Sequence, residues 1–492
     1  MTKKVLFRAD GSSTTGLGHL YRLFSLVEIL NSTYDFVFVT HTTSTQSIIP
    51  KKYLQEIIPT TVKIKEEPNW LQNKFSPKEY IIIADGYQFN TAYQKKLKDK
   101  GYTLVYIDDL VNQKMVADLV INHSPYAQEK DYLKETNTNL ALGTKYALLR
   151  PLFLKQANQK RNVVKITSAF VCFGGADPFN LTLKAVQALL NFSSIKNINV
   201  VLGGAYGHKN IFELEDEYPD KLKLHRNLSE ERLIETIQRC NFAVVPSSTI
   251  VYEVCCVKMP ILSGYYVDNQ KLIYKGLLEK EIIFEGGDLS CYKVSDFETK
   301  IKSILISSNI NSQIENQHNL FDGNIKHRLL GLVNQLNISF RRCNETDMTR
   351  VFNWSNDDVV RKNSYNSQPI LLENHKKWYS NKIKDKNCLF LIALINDVPA
   401  GIVRYEIETT QSIVGVLVSR EYRGQSLASN FLVKSSKLYF KNFNKPILAY
   451  IKKENVASIK AFENAGYSYL EDDIIEESSS FVYKLEKTNV KE

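Results

Sequence analysis

Cysteine is scarce in this sequence and shows no pattern that would cross-link the chain or bind a metal. Seven cysteines occur among 492 residues, no Cys-x-x-Cys pair is present, and the adjacent Cys255 and Cys256 fall within a predicted helix. An odd number of cysteines without such spacing argues against a disulfide framework and against a zinc site. His-Glu-x-x-His motifs and clustered carboxylates are missing as well, so we expect no metal cofactor.

Long apolar segments are missing too. The longest apolar run, Cys388–Ile395, has eight residues, whereas a membrane-spanning helix needs about 18 or more. The N-terminus leads into a predicted strand without an apolar leader segment. We therefore expect a cytoplasmic protein that does not insert into membranes.

Clusters of basic residues are absent although the chain is basic. Its 63 Lys and Arg against 53 Asp and Glu give a net charge of +10. The lysines are scattered and no Arg-rich run occurs, so the charge favours small anionic ligands over nucleic acid. With 21 Gly, 13 Pro, 43% hydrophobic and 24% charged residues, the chain is of the globular class, and its length predicts about three domains.

The apolar pattern divides the chain into three regions. Short strands alternate with amphipathic helices through residues 1–150, and the same rhythm restarts through 151–335, which predicts two α/β domains with parallel sheets. Residues 336–492 instead predict an α+β domain, with one strand, two helices and then three closely spaced strands, joined in part by a hairpin turn at Asn396 and Asp397. A ligand cleft is expected between the two α/β domains.

A glycine-containing loop follows the first predicted strand and ends in a histidine. Residues 10–19 read Asp-Gly-Ser-Ser-Thr-Thr-Gly-Leu-Gly-His, and a helical run begins directly afterwards. Backbone amides at the start of a helix attract an anion, and Gly16 and Gly18 allow close approach. His19 would then lie near a bound diphosphate, within reach of a water molecule. A plain polar residue at a helix start is the alternative interpretation of His19.

The stretch from Arg8 to Arg22 resembles the N-terminus of the nucleotide-sugar hydrolases of pseudaminic acid biosynthesis, which release UDP from a 2,4-diacetamido-2,4,6-trideoxy-altrose. The resemblance extends over residues 3–333. Further matches, in the order of the family, are Asp85, Tyr87, Asp108, Asp109, the run 142–151, the loop 174–178, Glu253, Asn269, Gln270, Asp322 and Gly323.

This resemblance implies two Rossmann-like domains in a GT-B arrangement, with the nucleotide on the second domain. It implies that His19 is catalytic, that Gly174 and Gly175 approach the diphosphate, and that Glu253 accepts hydrogen bonds from the ribose. Where the family has a Gly-rich segment before this Glu, residues 246–252 read Pro-Ser-Ser-Thr-Ile-Val-Tyr. The implied substrate-binding residues are Asp10, Gly16, Gly18, Arg22, Asp85, Tyr87, Gly174, Gly175, Ser248, Glu253, Asn269 and Gln270.

A second anion-binding pattern lies in the third region. The strand at 412–419 leads into Arg-Glu-Tyr-Arg-Gly-Gln-Ser-Leu-Ala and a helix, which resembles the pyrophosphate-binding motif of GNAT acetyltransferases, with Ser426 in the usual Gly place. The resemblance implies acetyl-CoA as co-substrate. The implied binding residues are Val418, Arg423, Gly424, Gln425, Ser426, Leu427, Ala428, Asn455 and Ser458. Phe462 stands where many members have a Tyr general acid, so Tyr467, Tyr439 and a water molecule stay open as proton donors.

The segment before this motif resembles the acetyltransferases that modify the 4-amino group of UDP-4-amino-sugars in the same pathway. The resemblance rests on Trp354, Asn356, Asp357, Arg361, Asn363, Ser364, His375 and Trp378. Among these, Asn356, Arg361, Ser364 and His375 are the implied acceptor-binding residues, while the tryptophans fit a core equally well.

Together the two patterns predict a bifunctional enzyme that acetylates a UDP-4-amino-sugar and hydrolyses the UDP-diacetamido product. The expected partners are the UDP-sugar, acetyl-CoA and other enzymes of the same sugar pathway. Three alternatives stay open: a GT-B glycosyltransferase fused to an acetyltransferase, a hydrolase of a legionaminic-type precursor, and a non-catalytic nucleotide-sugar sensor.

Overall fold

The apolar segments of the first region form a parallel sheet in the computed structural model, which describes residues 2–12 and 16–489. Residues 13–15 of the predicted phosphate loop lie outside the described residues. The strands are β1 (Lys4–Ala9), β2 (Phe36–His41), β3 (Gln55–Ile58), β4 (Tyr80–Asp85), β5 (Thr103–Ile107), β6 (Leu119–Asn122) and β7 (Asn139–Leu142). The helices of this region are α1 (Gly18–Leu30), α2 (Glu67–Lys74) and α3 (Thr91–Asp99), and α4 (Pro151–Gln156) begins the second region.

The strand order of this sheet is β3-β2-β1-β4-β5-β6-β7, with parallel neighbours throughout. The order reverses at β1 and β4, so the loops that follow these strands leave a crevice between them at the carboxyl edge. The central strands are covered on both faces, as Leu6 and Phe7 show, because these successive residues of β1 point to opposite faces and both are fully buried. The loop that carries His19 therefore begins at the point where such sheets bind ligands.

The second region repeats this architecture, as predicted. Its strands are β8 (Ser168–Val171), β9 (Asn197–Leu202), β10 (Leu222–Arg226), β11 (Phe242–Pro246), β12 (Ile261–Tyr265) and β13 (Phe284–Asp288). They form a parallel sheet in the order β10-β9-β8-β11-β12-β13, which is the order of a Rossmann-like domain. The helices are α5 (Leu181–Leu190), α6 (Asn210–Glu217), α7 (Glu230–Gln238), α8 (Thr249–Val257), α9 (Asp268–Glu279), α10 (Val294–Leu305), α11 (Ile310–Leu320) and α12 (Ile325–Asn334).

The third region forms a mostly antiparallel sheet with helices, in the order β14-β15-β16-β17-β18-β20-β19. Its strands are β14 (Ile338–Arg342), β15 (Cys388–Ile395), β16 (Val398–Ile407), β17 (Ser412–Val418), β18 (Ile447–Lys452), β19 (Ser468–Ile475) and β20 (Ser478–Leu485). The helices are α13 (Met348–Ser355), α14 (Asp358–Asn363), α15 (Leu372–Lys384), α16 (Leu427–Asn442) and α17 (Val456–Asn464).

The predicted pair of helices before β15 is corrected to α13, α14 and α15. Asp357 separates the first two, because its carboxylate accepts hydrogen bonds from the amides of Val359 and Val360 and so starts a new helix. The predicted hairpin turn is confirmed, with φ of 50° at Asn396 and 65° at Asp397.

The chain divides into two compact units between Leu329 and Leu330. The two parallel sheets belong to one unit and the mixed sheet to the other. This division lies ahead of the boundary near Gln335 that the sequence predicts. Within the described residues, no helix has the length and apolar character to cross a bilayer, and no group of three or more His, Cys, Asp or Glu is arranged to hold a metal ion.

Candidate active sites

His19 and Asp85 form a buried pair at the carboxyl edge of the first sheet. His19 lies in the first turn of α1 and Asp85 is the last residue of β4. Nδ1 of His19 lies 2.7 Å from Oδ1 of Asp85, which is fully buried. Burial alone would raise the pKa of Asp85, but the charge of Arg22 and the His19 contact hold it below the usual value. The carboxylate therefore stays ionised and accepts the proton of Nδ1.

Arg22 holds this carboxylate from the next turn of α1. Its Nε lies 2.9 Å from Oδ2 of Asp85, its Nη2 lies 2.8 Å from Oδ1, and its Nη1 lies 2.7 Å from Oδ2 of Asp109. Nη2 is also 2.8 Å from Nδ1 of His19. Because the ionised Oδ1 of Asp85 lies 2.7 Å from Nδ1, and Nη2 of Arg22 already donates to that oxygen, we assign the ring proton to Nδ1. Arg22 was predicted to bind substrate, but its nitrogens are engaged by Asp85 and Asp109.

In the neutral His19 ring with its proton on Nδ1, the other nitrogen, Nε2, is the acceptor. None of the described residues hydrogen-bonds it. The Tyr87 ring makes a T-shaped contact with the imidazole, with centroids 4.7 Å apart, and its hydroxyl donates a hydrogen bond to Asp109 at 3.2 Å. This arrangement fits a group that accepts a proton from a water molecule.

The start of α1 offers hydrogen-bond donors to an anion. Among the described residues, nothing accepts a hydrogen bond from the amides of Gly16, Leu17, Gly18 or His19. Gly16 has φ of 82°. At both Gly16 and Gly18, a Cβ would meet open space. The two predicted glycines therefore leave exposed backbone at the positive end of the helix.

Asp10 serves the structure of the loop. It accepts two hydrogen bonds from Arg8 at 2.6 and 2.8 Å, and others from the Thr40 hydroxyl, the His41 amide and the Gln88 side chain. Both carboxylate oxygens are thus engaged. The predicted contact between Asp10 and substrate would require some of these bonds to break, so we assign Asp10 to holding the loop after β1.

The two parallel sheets meet at the predicted cleft. Nδ2 of Asn269, in the first turn of α9, donates to the Tyr87 hydroxyl at 3.3 Å. Arg150 donates two hydrogen bonds to Oε1 of Glu253, in α8, at 2.7 and 2.9 Å. Burial raises the pKa of Glu253 even though Arg150 opposes this shift. Asn269 therefore lies close to the His19 site. The other carboxylate oxygen of Glu253, Oε2, remains available to accept a hydrogen bond from a ligand.

His123 is a residue of this cleft that the sequence analysis missed. It follows β6 directly, and its Nδ1 accepts a hydrogen bond from the Leu148 amide at 3.2 Å. The proton of the neutral ring therefore lies on Nε2. Burial lowers the pKa of His123 to about 3, and the charge of Arg22 adds to this effect. In the part of the chain that the structure describes, no group accepts the Nε2 proton, so His123 is a neutral donor without a partner.

The predicted diphosphate loop of the second sheet packs closely on its neighbour. Gly174 has φ of 78°, and a Cβ on Gly203 would lie 2.2 Å from its carbonyl oxygen. Gly175 is exposed, with open space at its Cβ position. Ser248 precedes α8 without capping it, and Gln270 is buried and accepts the Tyr266 amide at 3.0 Å. The glycines are therefore open to a ligand, whereas Gln270 supports the loop before α9.

The mixed sheet has an anion-binding loop of its own. The amides of residues 424–428 donate no hydrogen bond within the described chain. Gly424 has φ of 76° and Ser426 has φ of 56°, so both turn the backbone through the left-handed region before α16 begins. Strands β17 and β18 pair only through residues 412–413 and 447–448. The end of β17 at Val418 therefore has an unpaired edge beside the loop.

Several predicted acetyl-CoA residues have partners inside the protein. Nη1 of Arg423 lies 2.8 Å from Oδ1 of Asp357, and its Nε donates to the Val418 carbonyl at 3.2 Å. Asn455 caps α17 by accepting the Ser458 amide at 3.2 Å. The backbone donors of the loop, not these side chains, are the unpaired groups. Leu427 and Ala428 form the first turn of α16.

The predicted acceptor residues lie on α13 to α15 and the loop among them. Asn356 bonds the amide and carbonyl of Ile370. Arg361 donates to Ser364 at 2.8 Å and to two backbone carbonyls. These three residues brace the loop. His375 differs, because it is buried between aromatic rings and its Nε2 has no partner among the described residues. Trp354 and Trp378 are half-buried against this cluster.

The two tyrosines considered as proton donors lie in the core of the mixed sheet. The Tyr439 hydroxyl is 2.7 Å from that of Ser412, and the Tyr467 hydroxyl is 3.4 Å from that of Ser436. Burial raises the pKa of both phenols. Phe462 packs beside Tyr467 in the same core. Both hydroxyls therefore lie beside serine hydroxyls in the core, and the identity of the proton donor stays a prediction.

Both regions are similar to known proteins. Residues 337–468 match the family model described as an acetyltransferase (GNAT) domain. The chain is 27% identical over 296 residues to the UDP-2,4-diacetamido-2,4,6-trideoxy-beta-L-altropyranose hydrolase of Campylobacter jejuni, covering 56% of this chain and 97% of that protein. It is 24% identical over 285 residues to the spore coat polysaccharide biosynthesis protein SpsG of Bacillus subtilis, covering 57% of this chain and 82% of that one.

One similar protein spans both regions. An uncharacterized protein of Methanocaldococcus jannaschii is 24% identical over 479 residues, covering 94% of this chain and 96% of its own length. The predicted fold class is confirmed: two Rossmann-like sheets precede a domain with the GNAT fold. The chain is an enzyme that joins a region similar to a UDP-sugar hydrolase to a GNAT acetyltransferase domain.

Proposed function

We propose that the chain catalyses two consecutive steps on one UDP-linked sugar of pseudaminic acid biosynthesis. The GNAT domain transfers an acetyl group from acetyl-CoA to the 4-amino group of UDP-4-amino-4,6-dideoxy-N-acetyl-altrosamine. The region with the two parallel sheets then hydrolyses the UDP-diacetamido-sugar to free sugar and UDP. The domains that carry these steps are residues 1–150 and 151–335 for hydrolysis and 336–492 for acetyl transfer.

The His19–Asp85 pair is the observation that carries the hydrolase assignment. Water adds its oxygen to the anomeric carbon and gives a proton to Nε2 of His19, while the bond from this carbon to the diphosphate oxygen breaks and its electron pair leaves with UDP. Asp85 keeps its hydrogen bond to Nδ1 and stabilises the imidazolium that forms. The amides at the start of α1, which have no acceptor among the described residues, offer donors to the departing diphosphate.

The second sheet supplies the nucleotide side of this proposal. Glu253 presents its second carboxylate oxygen as an acceptor for ribose hydroxyls, while Arg150 holds the first. Gly174 and Gly175 let the backbone approach the diphosphate. The similarity to the Campylobacter jejuni hydrolase, over 97% of that protein, supports the substrate, and Asn269 and Tyr87 lie between the two sheets where the sugar would bind.

The amides of residues 424–428, which donate to no group in the described part of the chain, support acetyl-CoA binding. The diphosphate accepts hydrogen bonds from them, and the unpaired edge at Val418 offers backbone groups to the amides of the pantetheine arm. The acceptor amine attacks the thioester carbonyl, a C–N bond forms, the C–S bond breaks, and CoA leaves as a thiolate. The proton lost by the amine balances the one that the thiolate takes up.

Incubation of the purified chain with the UDP-diacetamido-sugar, without any acceptor, tests the hydrolase assignment. Release of free sugar and UDP supports hydrolysis. An intact UDP-sugar that is consumed only after a sugar acceptor is added would instead show a glycosyltransferase.

A further inference from the structure

The end of α12 contacts the anion-binding loop of the GNAT domain, although it precedes the residues that match the family model. That match begins at residue 337, whereas α12 ends at Asn334. A Cβ on Gly331 would lie 2.1 Å from the backbone oxygen of Gln425 and 2.9 Å from its carbonyl carbon. Only a residue without a side chain allows the helix to come this close to the loop.

Asn334 adds a polar contact at the same place. Its Nδ2 donates to Oε1 of Gln425 at 2.6 Å, and both side chains are buried. Nε2 of Gln425 donates in turn to the Glu421 carbonyl at 3.3 Å. The Gln425 side chain thus connects α12 to the segment that enters the loop, while its own backbone is part of the loop.

The residue after α12 continues this contact along α16. The Gln335 carbonyl accepts Nζ of Lys434 at 2.8 Å, and its side-chain oxygen accepts Nδ2 of Asn430 at 3.2 Å. Helix α16 begins at the loop, so residues 331–335 contact both the loop and the helix whose N-terminus faces the anion.

We propose that Gly331 and Asn334 are positioning residues that hold the diphosphate-binding loop in the conformation that receives acetyl-CoA. This inference rests on the proposed acetyl transfer. Neither residue touches the co-substrate in this account. Each acts through Gln425, so its loss weakens diphosphate binding and leaves the reacting atoms undisturbed.

Gly331→Ala in the full chain tests the proposal. Alanine is more favourable than glycine in the interior of a helix. A defect in CoA binding would therefore come from the contact with Gln425 and not from a weaker helix. We expect the Kd for CoA, measured by calorimetry, to rise by about tenfold or more, which one or two lost charge-assisted hydrogen bonds would produce. The kcat at saturating acetyl-CoA should change by less than about threefold. Gly415→Ala, where a Cβ meets open space on β17, is the matched control and should leave both values unchanged.

S-acetylpantetheine, which lacks the diphosphate, separates a positioning role from general damage to the domain. The kcat/KM of Gly331→Ala should fall for acetyl-CoA and stay unchanged for S-acetylpantetheine. An equal loss with both donors, or a Kd for CoA equal to that of the unsubstituted chain, overturns the proposal.

Asn334→Ala decides the matter if Gly331→Ala does not fold. It should raise the Kd for CoA by about threefold to tenfold, and an unchanged Kd overturns the proposal. If the unsubstituted chain itself binds no CoA, the proposed acetyl transfer fails and this inference fails with it. If the unsubstituted chain binds CoA and acetylates, a variant with either substitution that keeps the same Kd for CoA and the same kcat/KM for acetyl-CoA refutes the positioning role alone.

Discussion

Oδ1 of Asp85 accepts the Nδ1 proton of His19 across 2.7 Å, and residues 66 positions apart in the chain thereby form one acid–base pair. Because Arg22 holds the same carboxylate, the imidazole has a fixed ring orientation and tautomer. Its Nε2 is left free to take a proton from water.

Asp85→Asn should abolish most of the hydrolysis. An amide is neutral and does not stabilise the imidazolium, so we expect kcat for UDP release to fall by about 10²–10⁴-fold. Acetyl transfer measured as CoA release should not change, because no GNAT residue contacts Asp85 in the described structure. If the Asp85→Asn variant hydrolysed the UDP-sugar within about threefold of the unsubstituted rate, the His19–Asp85 pair would not take part in the reaction.

His123 is expected to donate a hydrogen bond to the UDP-sugar through Nε2. His123→Phe keeps an aromatic ring beside Tyr252 but removes the donor, and kcat/KM for hydrolysis should fall by about tenfold, the equivalent of one hydrogen bond. Substitution by Gln, which retains an N–H donor, should recover part of this loss. Equal activity of the Phe and Gln variants would contradict the assignment.

Ser426→Gly should stabilise the GNAT domain without weakening CoA binding. Ser426 has φ of 56°, which costs a residue with a Cβ about 1 kcal/mol relative to glycine. We expect a higher melting temperature by calorimetry and an unchanged Kd for CoA. A lower melting temperature would show that the serine hydroxyl contributes more than the backbone strain costs.

Tyr439→Phe and Tyr467→Phe should leave acetyl transfer almost intact. Their hydroxyls are buried beside serines, so each substitution costs about 1 kcal/mol of stability through a lost hydrogen bond. The kcat for acetylation should change by less than about threefold. A loss of about a hundredfold or more for either variant would identify that tyrosine as the proton donor and contradict its placement in the core.

Acid should destabilise the hydrolase unit through Asp10 and Asp85. The pKa of each lies below its usual value because their arginine partners outweigh burial. As the pH falls, these carboxylates therefore take up protons in the unfolded chain before they do so in the folded chain. The stability that they contribute is fully present above the ordinary aspartate pKa and is lost as the pH falls through and below about 4. Melting temperatures from pH 7 to 3 should show this fall, and it should be smaller in Asp10→Asn. If the melting temperature fell with pH equally in both proteins, Asp10 would be excluded as a source of the acid sensitivity.

The strands and loops of the sites were accessible from the sequence, but their side-chain partners were not. A short apolar run located β1, and the Arg-Gly-Gln-Ser sequence between a strand and a helix located the α16 loop, because both are local patterns. The engagement of Asp10 by Arg8, and of Arg423 by Asp357, depends on contacts that no local pattern encodes. Asp10 was predicted to bind a ligand, and the structure adds that it also holds the loop after β1.

Short strands were the main omission in the fold. Strand β6 has four residues, too few for a distinct period, and missing it concealed His123. A signal was present, since Asn122 and His123 directly follow the apolar run 119–121, where polar residues at the carboxyl edge of a parallel sheet often serve a ligand. The contact of Gly331 with Gln425 had no such signal, because a glycine inside a helix predicts nothing about what approaches it.

Mass spectrometry of the products from UDP-4-amino-4,6-dideoxy-N-acetyl-altrosamine and acetyl-CoA tests the central claim most directly. The unsubstituted chain should yield CoA, UDP and the free diacetamido-sugar. His19→Asn should yield CoA and accumulate the intact UDP-diacetamido-sugar. An unacetylated free sugar, or an acetylated product that stays attached to UDP with the unsubstituted chain, would contradict the account of two consecutive activities.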